Sequence, residues 1–274
     1  MPKISPLAVV DANAHLAEDV EVGPFCIVGP NVTVGPGSKL LSHVVIQGHT
    51  TVGRDNVFHP FCVIGGTPQD LKYRGGPTRL EIGDANVIRE SVTIHVGTET
   101  GGGLTKLGDR NLLMINAHIG HDARIGSRCI ISNNVMLAGH VAVGDCVAMM
   151  GGVGIHHFVT VGEFAYLGGY AQIHHDVPPF VKVAESDEVR GLNTTGLKRA
   201  GFGDQDIEAL EQATRSLFYG RQKQKPFATV LAEFDTRNGI NPHVKRMVEF
   251  LRQRDIGKHG RYLEASRQDG ARPA

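Results

Sequence analysis

Tryptophan is absent from the 274 residues, and aromatic side chains make up only 6% of them. Large rings ordinarily fill a wide core, so their scarcity points to a thin one. The four cysteines include no Cys-x-x-Cys pair, which removes the commonest zinc and redox signatures. No apolar run reaches the roughly 18–20 residues of a bilayer span, and no membrane span is expected. The opening stretch MPKISPLAVVDANAH lacks the apolar segment of a secretory signal, so a cytoplasmic location is expected. Net charge is missing as well, because 28 basic and 28 acidic side chains cancel. That excludes the broadly basic surface of a nucleic-acid binder. The zero nevertheless conceals two unequal halves. Residues 1–178 hold 11 Lys/Arg against 15 Asp/Glu, whereas residues 179–274 hold 17 against 13.

What is abundant is glycine, with 35 residues, and histidine, with 14. From Leu107 an aliphatic residue or Met recurs every six positions through Leu113, Ile119, Ile125, Ile131, Leu137 and on to Ile173. A small side chain follows four positions later in nearly every case, as at Ala117, Ala123, Cys129 and Val135. An earlier block from Val10 to Ile64 has the same period, resuming at Ile82, Ile88 and Ile94. A period of six fits neither a 3.6-residue helix nor a hairpin meander. It fits short strands, each followed by a turn and each sending one aliphatic side chain inward. Three such faces make an 18-residue coil, and coils stack at roughly 4.8 Å. The 25 hexads give about eight coils around a narrow prism.

Two stretches break the repeat, residues 65–79 and residues 96–106, both polar and rich in glycine. They are expected as loops ejected from the prism, where function concentrates. The prism is expected over residues 1–178. After Pro178-Pro179 the spacing turns helical, so residues 179–274 are expected as a C-terminal helical domain. Asp204 is its candidate N-cap, Gly220 a candidate stop, and the last dozen residues are expected to be disordered. Cys26 and Cys62 occupy equivalent inward positions two coils apart, beyond disulfide reach. All four cysteines are expected to be reduced.

An 18-residue period sorts the histidines. His121, Gly139, His157 and His175 stack at one position of one face, and Gly120, Ala138, His156 and His174 at the position before it. With His118 and His140 added, one edge carries seven histidines. A neutral imidazole is a natural general base near pH 7. Asp122 could orient the His121 ring if a corner brought the two side chains together. The Gly139 N–H, one coil above, could hold an oxyanion. Three convergent imidazoles could instead bind zinc, so a metal site stands as the rival reading.

The hexads combine with LLMINAHIGHDARIG (112–126), PQDLKY (68–73), IRESVTIH (88–95), TGGGLTK, LAGHV (137–141), DVPP (176–179) and GLKRAGF (196–202). Together they resemble the UDP-N-acetylglucosamine acyltransferases that open lipid A biosynthesis. The likeness runs over roughly residues 5–255. It implies an all-β left-handed parallel β-helix followed by the helical domain, assembled as a homotrimer with active sites between subunits. It also implies transfer of an (R)-3-hydroxyacyl chain from acyl carrier protein to the 3-hydroxyl of UDP-N-acetylglucosamine, with no cofactor and no metal. Carried over, His121 is the base, Asp122 its partner and Gly139 the oxyanion donor. His118, His140, His156, Asp70 and Lys72 match substrate-binding positions, with Gln69 beside them. Gly169 falls at the acyl-length ruler, where a glycine leaves room for a longer chain. His157, Asn193 and Arg199 stand in the nucleotide pocket. There the chain departs from the family pattern, with His157 in place of Gln, Thr195 in place of an acidic residue and Ala200 in place of Arg. These departures keep open an amino-sugar acceptor that would take an amide-linked chain. A γ-type zinc carbonic anhydrase and a non-catalytic scaffold are further alternatives on the same prism. Arg215, Arg221, Lys223 and Lys225 form a basic cluster suited to an acidic carrier protein.

Overall fold

The computed structural model describes residues 1–219, 227–234 and 239–266. Each hexad contributes a strand of about two residues, as at Leu112–Leu113, His118–Ile119, Arg124–Ile125 and Ile130–Ile131. The second residue of each pair points inward and is buried, and so is the small residue four positions on. Strands pair in parallel at intervals of 18. Met136 lies beside His118 and Gly154 beside Met136. The result is three flat sheets of 11, 9 and 8 strands around one narrow core.

Few of the corners use glycine, Gly37 and Gly152 being two that do, with φ of 71° and 73°. The left-handed backbone at most turns is carried by ordinary residues. Asn116, Asp122, Arg128, Asn134, His140 and Cys146 all have φ between 58° and 63°. The glycine after the aliphatic residue serves a different need, which is close approach between coils. A Cβ on Gly120 would lie 2.8 Å from the Gly139 nitrogen, and one on Gly126 would lie 2.8 Å from the Gly144 carbonyl carbon.

The two insertions leave the register intact. Val57 pairs with Val87 across 30 residues, and Val87 with Leu112 across 25, before the 18-residue interval resumes. Their edges are trimmed by the sheets. Strand Val63–Gly66 and strand Arg79–Ile82 take the ends of the first loop, and Leu104–Leu107 takes the end of the second. Each of these ends finds backbone partners on a neighbouring coil, such as Arg79 with Leu104 and Gly66 with His95.

Pro178-Pro179 ends the hexads but not the sheet. Val181–Ala184 still pairs in parallel with Tyr166 and Leu167, and Glu188–Leu192 folds back on it antiparallel. Helices follow: α1 (Thr194–Arg199), α2 (Asp204–Thr214), α3 (Phe227–Ala232) and α4 (Pro242–Ile256). A π-turn, Arg215–Tyr219, extends α2. Ile207, Leu210 and Ala213 of α2 are buried, as are Val244, Met247, Val248 and Leu251 of α4. Asp204 is the first helical residue rather than the cap, which is Gly203. There its charge faces the positive end of the helix dipole. Asn241 caps α4, accepting from the His243 and Val244 amides, with Pro242 at the first helical position. Gly220, Arg221, Lys223 and Lys225 lie outside the described residues. Of the expected disordered tail, Leu263–Ser266 form a 3-10 turn, and residues 267–274 lie outside the described set. All four cysteines are free, and burial pushes the Cys62 and Cys129 thiols up to about 12.

Candidate active site

At Asp122 the backbone takes φ 58°, and this turn lets two consecutive side chains meet. On a strand they would point to opposite faces. Here Asp122 Oδ2 lies 2.9 Å from His121 Nδ1. The second inserted loop wraps the carboxylate. The Thr98 N–H donates to both oxygens at 3.0 and 3.1 Å, and the Thr98 hydroxyl donates to Oδ2 at 2.6 Å. The Asp122 N–H in turn donates to Thr105 Oγ1 at 2.8 Å. Gly101 passes so close that a Cβ there would lie 2.1 Å from Oδ2. Burial alone would raise the Asp122 carboxyl pKa. Hydrogen bonds from His121 and Thr98 outweigh it and hold the carboxyl below its ordinary value. An ionised carboxylate only accepts, so Nδ1 of His121 is the donor in this bond, and in a neutral ring Nε2 keeps its lone pair.

Gly139 lies one coil along. A Cβ built there would come within 2.5 Å of His121 Nε2 and Cε1, so only glycine brings a backbone amide this near the ring. Among the described residues that amide donates to no partner, while the next one, of His140, donates to the His121 carbonyl at 2.9 Å. His140 stacks on Phe158 at 4.3 Å and meets His121 edge-on at 5.0 Å. Asp122, His140 and Phe158 occupy the same corner of three successive coils, all with positive φ. His121, Asp122 and His140 also bring metal-ligating atoms within 4.8 Å of one another. Asp122 Oδ2 is already held there by the Thr98 hydroxyl and by His121.

Two cavities meet at His121 and Gly139. The first, about 650 Å³, is polar. Gln69, Asp70 and Lys72 of the first loop line it, with Glu99 of the second and His140 and His157 of the prism. Asp70 shapes its own loop, its carboxylate accepting from the Lys72 amide at 2.9 Å. The second, about 920 Å³, is a groove with an apolar stretch of Met136, Leu137, Ile155, Tyr170 and Ile173. His118 and His156 line it too. Gly169 lines neither cavity, although the next residue, Tyr170, lines the groove. A Cβ on Gly169 would sit 3.6 Å from the Gly151 carbonyl oxygen, an ordinary contact that leaves space for a side chain.

Asn193 and Arg199 line neither cavity. Asn193 is buried and caps α1, accepting from the Gly196 amide and donating to the Phe164 carbonyl at 2.9 Å. Arg199 is exposed at the end of that helix. His174 and His175 both face Asp187, at 3.4 and 2.9 Å.

Among the site residues that escaped the sequence reading are Glu99 of the polar cavity and three others. Thr98 sits between glycines in the second loop, Phe158 falls 18 residues after His140, and His95 closes the IRESVTIH segment. His95 lines the groove. Burial, aided by the fields of His118 and His121, pulls its pKa down to about 4. Its buried Nδ1 has no hydrogen-bond partner among the described residues. His118 is lowered in the same way, and its Nδ1 lies 2.8 Å from Thr93 Oγ1.

Comparison with known proteins follows the same outline. A family model for the bacterial transferase hexapeptide repeat matches residues 104–139. Another, described as UDP N-acetylglucosamine O-acyltransferase, domain 2, matches residues 176–259. LpxA from Acinetobacter baumannii is 38% identical, with 91% of this chain and 96% of that one covered and a TM-score of 0.86. The UDP-N-acetylglucosamine acyltransferase of Bacteroides fragilis is 35% identical over 91% of this chain and 96% of its own, with a TM-score of 0.87. That of Francisella novicida is 34% identical over 90% of each chain, with a TM-score of 0.86. The fold shared with them is the left-handed parallel β-helix with a helical C-terminal part. At these identities over nearly the whole length, the chain belongs to the UDP-N-acetylglucosamine acyltransferase family.

Proposed function

We propose that this protein transfers an (R)-3-hydroxyacyl chain from acyl carrier protein to the 3-hydroxyl of UDP-N-acetylglucosamine, the first step of lipid A biosynthesis. The observation that carries the reading is the meeting of two unlike cavities at one base. A polar cavity suits a sugar nucleotide, an apolar groove suits an acyl chain, and His121 lies between them. Nε2 of His121 takes the proton of the sugar hydroxyl as its oxygen attacks the thioester carbon. The tetrahedral oxyanion forms against the Gly139 N–H. Collapse breaks the carbon–sulfur bond, and the proton on His121 leaves with the carrier's thiolate. Asp122 keeps the ring in the required tautomer throughout.

Asp70, Lys72, His140 and His157 serve the acceptor side in this reading, with Gln69 at the junction. His118 and His156 serve the acyl side. Gly169 matches the family's acyl-length position, and a glycine there favours longer acyl chains. Asn193 and Arg199 reach a nucleotide only if a neighbouring subunit carries them to it, as in a homotrimer with shared clefts. The exposed Met136 and Tyr170 on the groove are suited to cover by such a neighbour. No helix among the described residues is long and apolar enough to cross a membrane, consistent with a cytoplasmic enzyme meeting a soluble carrier.

Mass spectrometry of products from UDP-N-acetylglucosamine and a mixed pool of acyl carrier proteins tests the reaction. A base-labile ester of a longer 3-hydroxyacyl chain is expected, and an amide or no product contradicts the reading. His121→Ala is expected to lower kcat by about 10²–10⁴-fold. Retention of more than a few per cent of turnover at saturating substrate removes the base from His121.

A further inference from the structure

The two inserted loops are joined to each other as well as to the prism. Near the prism the joint is backbone to backbone. The Arg79 amide donates to the Gly103 carbonyl at 2.8 Å, and the Gly97 amide donates to the Arg79 carbonyl at 3.1 Å. Further out a side chain makes it. Glu99 Oε1 accepts from the Gly76 amide at 2.6 Å and from the Arg74 amide at 3.3 Å. The Arg74 guanidinium turns back on its own loop instead, donating to the Leu71 carbonyl at 3.0 Å.

Two consecutive glycines serve this joint in different ways. Gly75 has φ 84°, a left-handed turn that glycine adopts without strain. The φ of Gly76 lies outside that region, and what it supplies is close approach. A Cβ on Gly76 would lie 2.6 Å from Glu99 Oε1 and 2.8 Å from Glu99 Cγ. On the other side of Glu99 stands Thr98, whose amide and hydroxyl hold Asp122. Two adjacent residues thus hold the carboxylate behind the base and the loop that brings Gln69, Asp70 and Lys72 to the polar cavity.

We infer that Glu99 is a positioning residue, which latches the first inserted loop to the second and so holds Gln69, Asp70 and Lys72 where a sugar nucleotide meets them. This rests on the acceptor reading of the polar cavity given above. The loop's internal bonds, Lys72 amide to Asp70 and Tyr73 hydroxyl to the Gly76 carbonyl at 3.2 Å, fix its shape. The Glu99 bonds fix its place against the second loop. A site assembled for only part of the time binds its ligand more weakly in the same proportion. Loosening the latch therefore weakens acceptor binding and leaves the chemistry at His121 in place.

Hydrogen exchange reads the latch without substrate, by mass spectrometry of peptides over residues 70–78 of the full chain. Glu99→Ala is expected to speed exchange at the Arg74 and Gly76 amides about 10-fold or more, with the prism strands unchanged. Glu99→Gln keeps an oxygen that accepts both amides and is expected to stay close to the parent. Gly76→Ala pushes the carboxylate aside and is expected to act like Glu99→Ala. Combined with Glu99→Ala it should add nothing further. Equal exchange in the parent and Glu99→Ala overturns the inference, as does Glu99→Gln exchanging as fast as Glu99→Ala. Effects of Gly76→Ala and Glu99→Ala that simply add also overturn it, because the glycine then serves something other than the carboxylate. With substrate, Glu99→Ala is expected to raise the KM for UDP-N-acetylglucosamine about 3–10-fold, with a much smaller change in kcat and in the KM for acyl carrier protein. An equal fall in kcat and kcat/KM reports damage passed through Thr98 to Asp122 and removes the positioning role. A loosened loop with unaltered UDP-N-acetylglucosamine kinetics keeps the latch and locates the failure in the acceptor reading instead.

Discussion

At the scale of single residues, the site depends on one corner conformation. Asp122 and His121 adjoin in sequence, and only the left-handed turn makes their side chains neighbours. The sequence makes their meeting conditional on a corner, and the structure has one there. What the sequence could not supply was Thr98, because the loop of residues 96–106 has no period and places its side chains by contacts rather than by register. Thr98→Val removes the hydroxyl that donates to Asp122 Oδ2 at 2.6 Å. The consequence for stability follows from the depressed carboxyl. A group held below its unfolded pKa stabilises the fold above that unfolded value, and the contribution is lost as pH falls through the folded one. Thr98→Val is therefore expected to be less stable than the parent at neutral pH, by about 1.5–3 kcal/mol for a hydrogen bond to a charged group. The gap should close in strongly acidic solution, where Asp122 is protonated in both proteins. Chemical denaturation at several pH values measures it, and a gap independent of pH contradicts this account of Asp122.

Among the elements, the strands were legible and the devices inside the prism were not. Hexads from Leu107 onward announce their own buried positions, because one aliphatic side chain per face has nowhere else to go. The inserted loops could be located by the break in period, since no strand tolerates their glycine content, but their ends could not. Pairing with a neighbouring coil decides those ends, and it is a long-range property. The same holds for a buried asparagine stack that replaces small apolar residues on one face. Asn86 accepts the Asn111 amide at 2.8 Å, and its own side chain donates to Asn56 Oδ1 at 3.0 Å. Asn111 then accepts from the Cys129 amide at 2.8 Å. The stack spans the coils that carry both insertions, where the 18-residue interval is broken. Its side chains accept the Asn86, Asn111 and Cys129 amides, in addition to backbone bonds that cross both insertions, such as Val57 N–H to the Asn86 carbonyl and Val87 N–H to the Asn111 carbonyl. Asn86→Ala leaves the buried Asn111 amide without an acceptor. A loss of about 1–3 kcal/mol is expected for such a group, read as a lower Tm, with turnover per folded molecule unchanged. An unaltered Tm shows that the stack contributes nothing to stability.

Over the whole molecule, the cancelled charge separates into an acidic prism and a basic C-terminal region, four units each way. The helices place part of that excess on the surface. Arg215 is well exposed beside Glu211, and Arg246 reaches Glu163 of the prism at 2.9 Å. Not every cation is therefore free to attract a partner. A carrier protein of acidic character would still meet a field biased toward the helical end, and such steering acts on association rate. At about 0.1 M salt the screening length is near 10 Å, so the bias should fade across the ordinary laboratory range. Raising ionic strength from about 0.05 to 0.5 M is expected to lower kcat/KM for acyl carrier protein several-fold. A short acyl-pantetheine thioester has no acidic surface, so its kcat/KM should change little over the same range. Lys223→Gln combined with Lys225→Gln should flatten the first dependence and leave the second alone. Parallel salt curves for the two donors place the recognition in contacts at the groove, and the asymmetry of charge then has no part in choosing the partner.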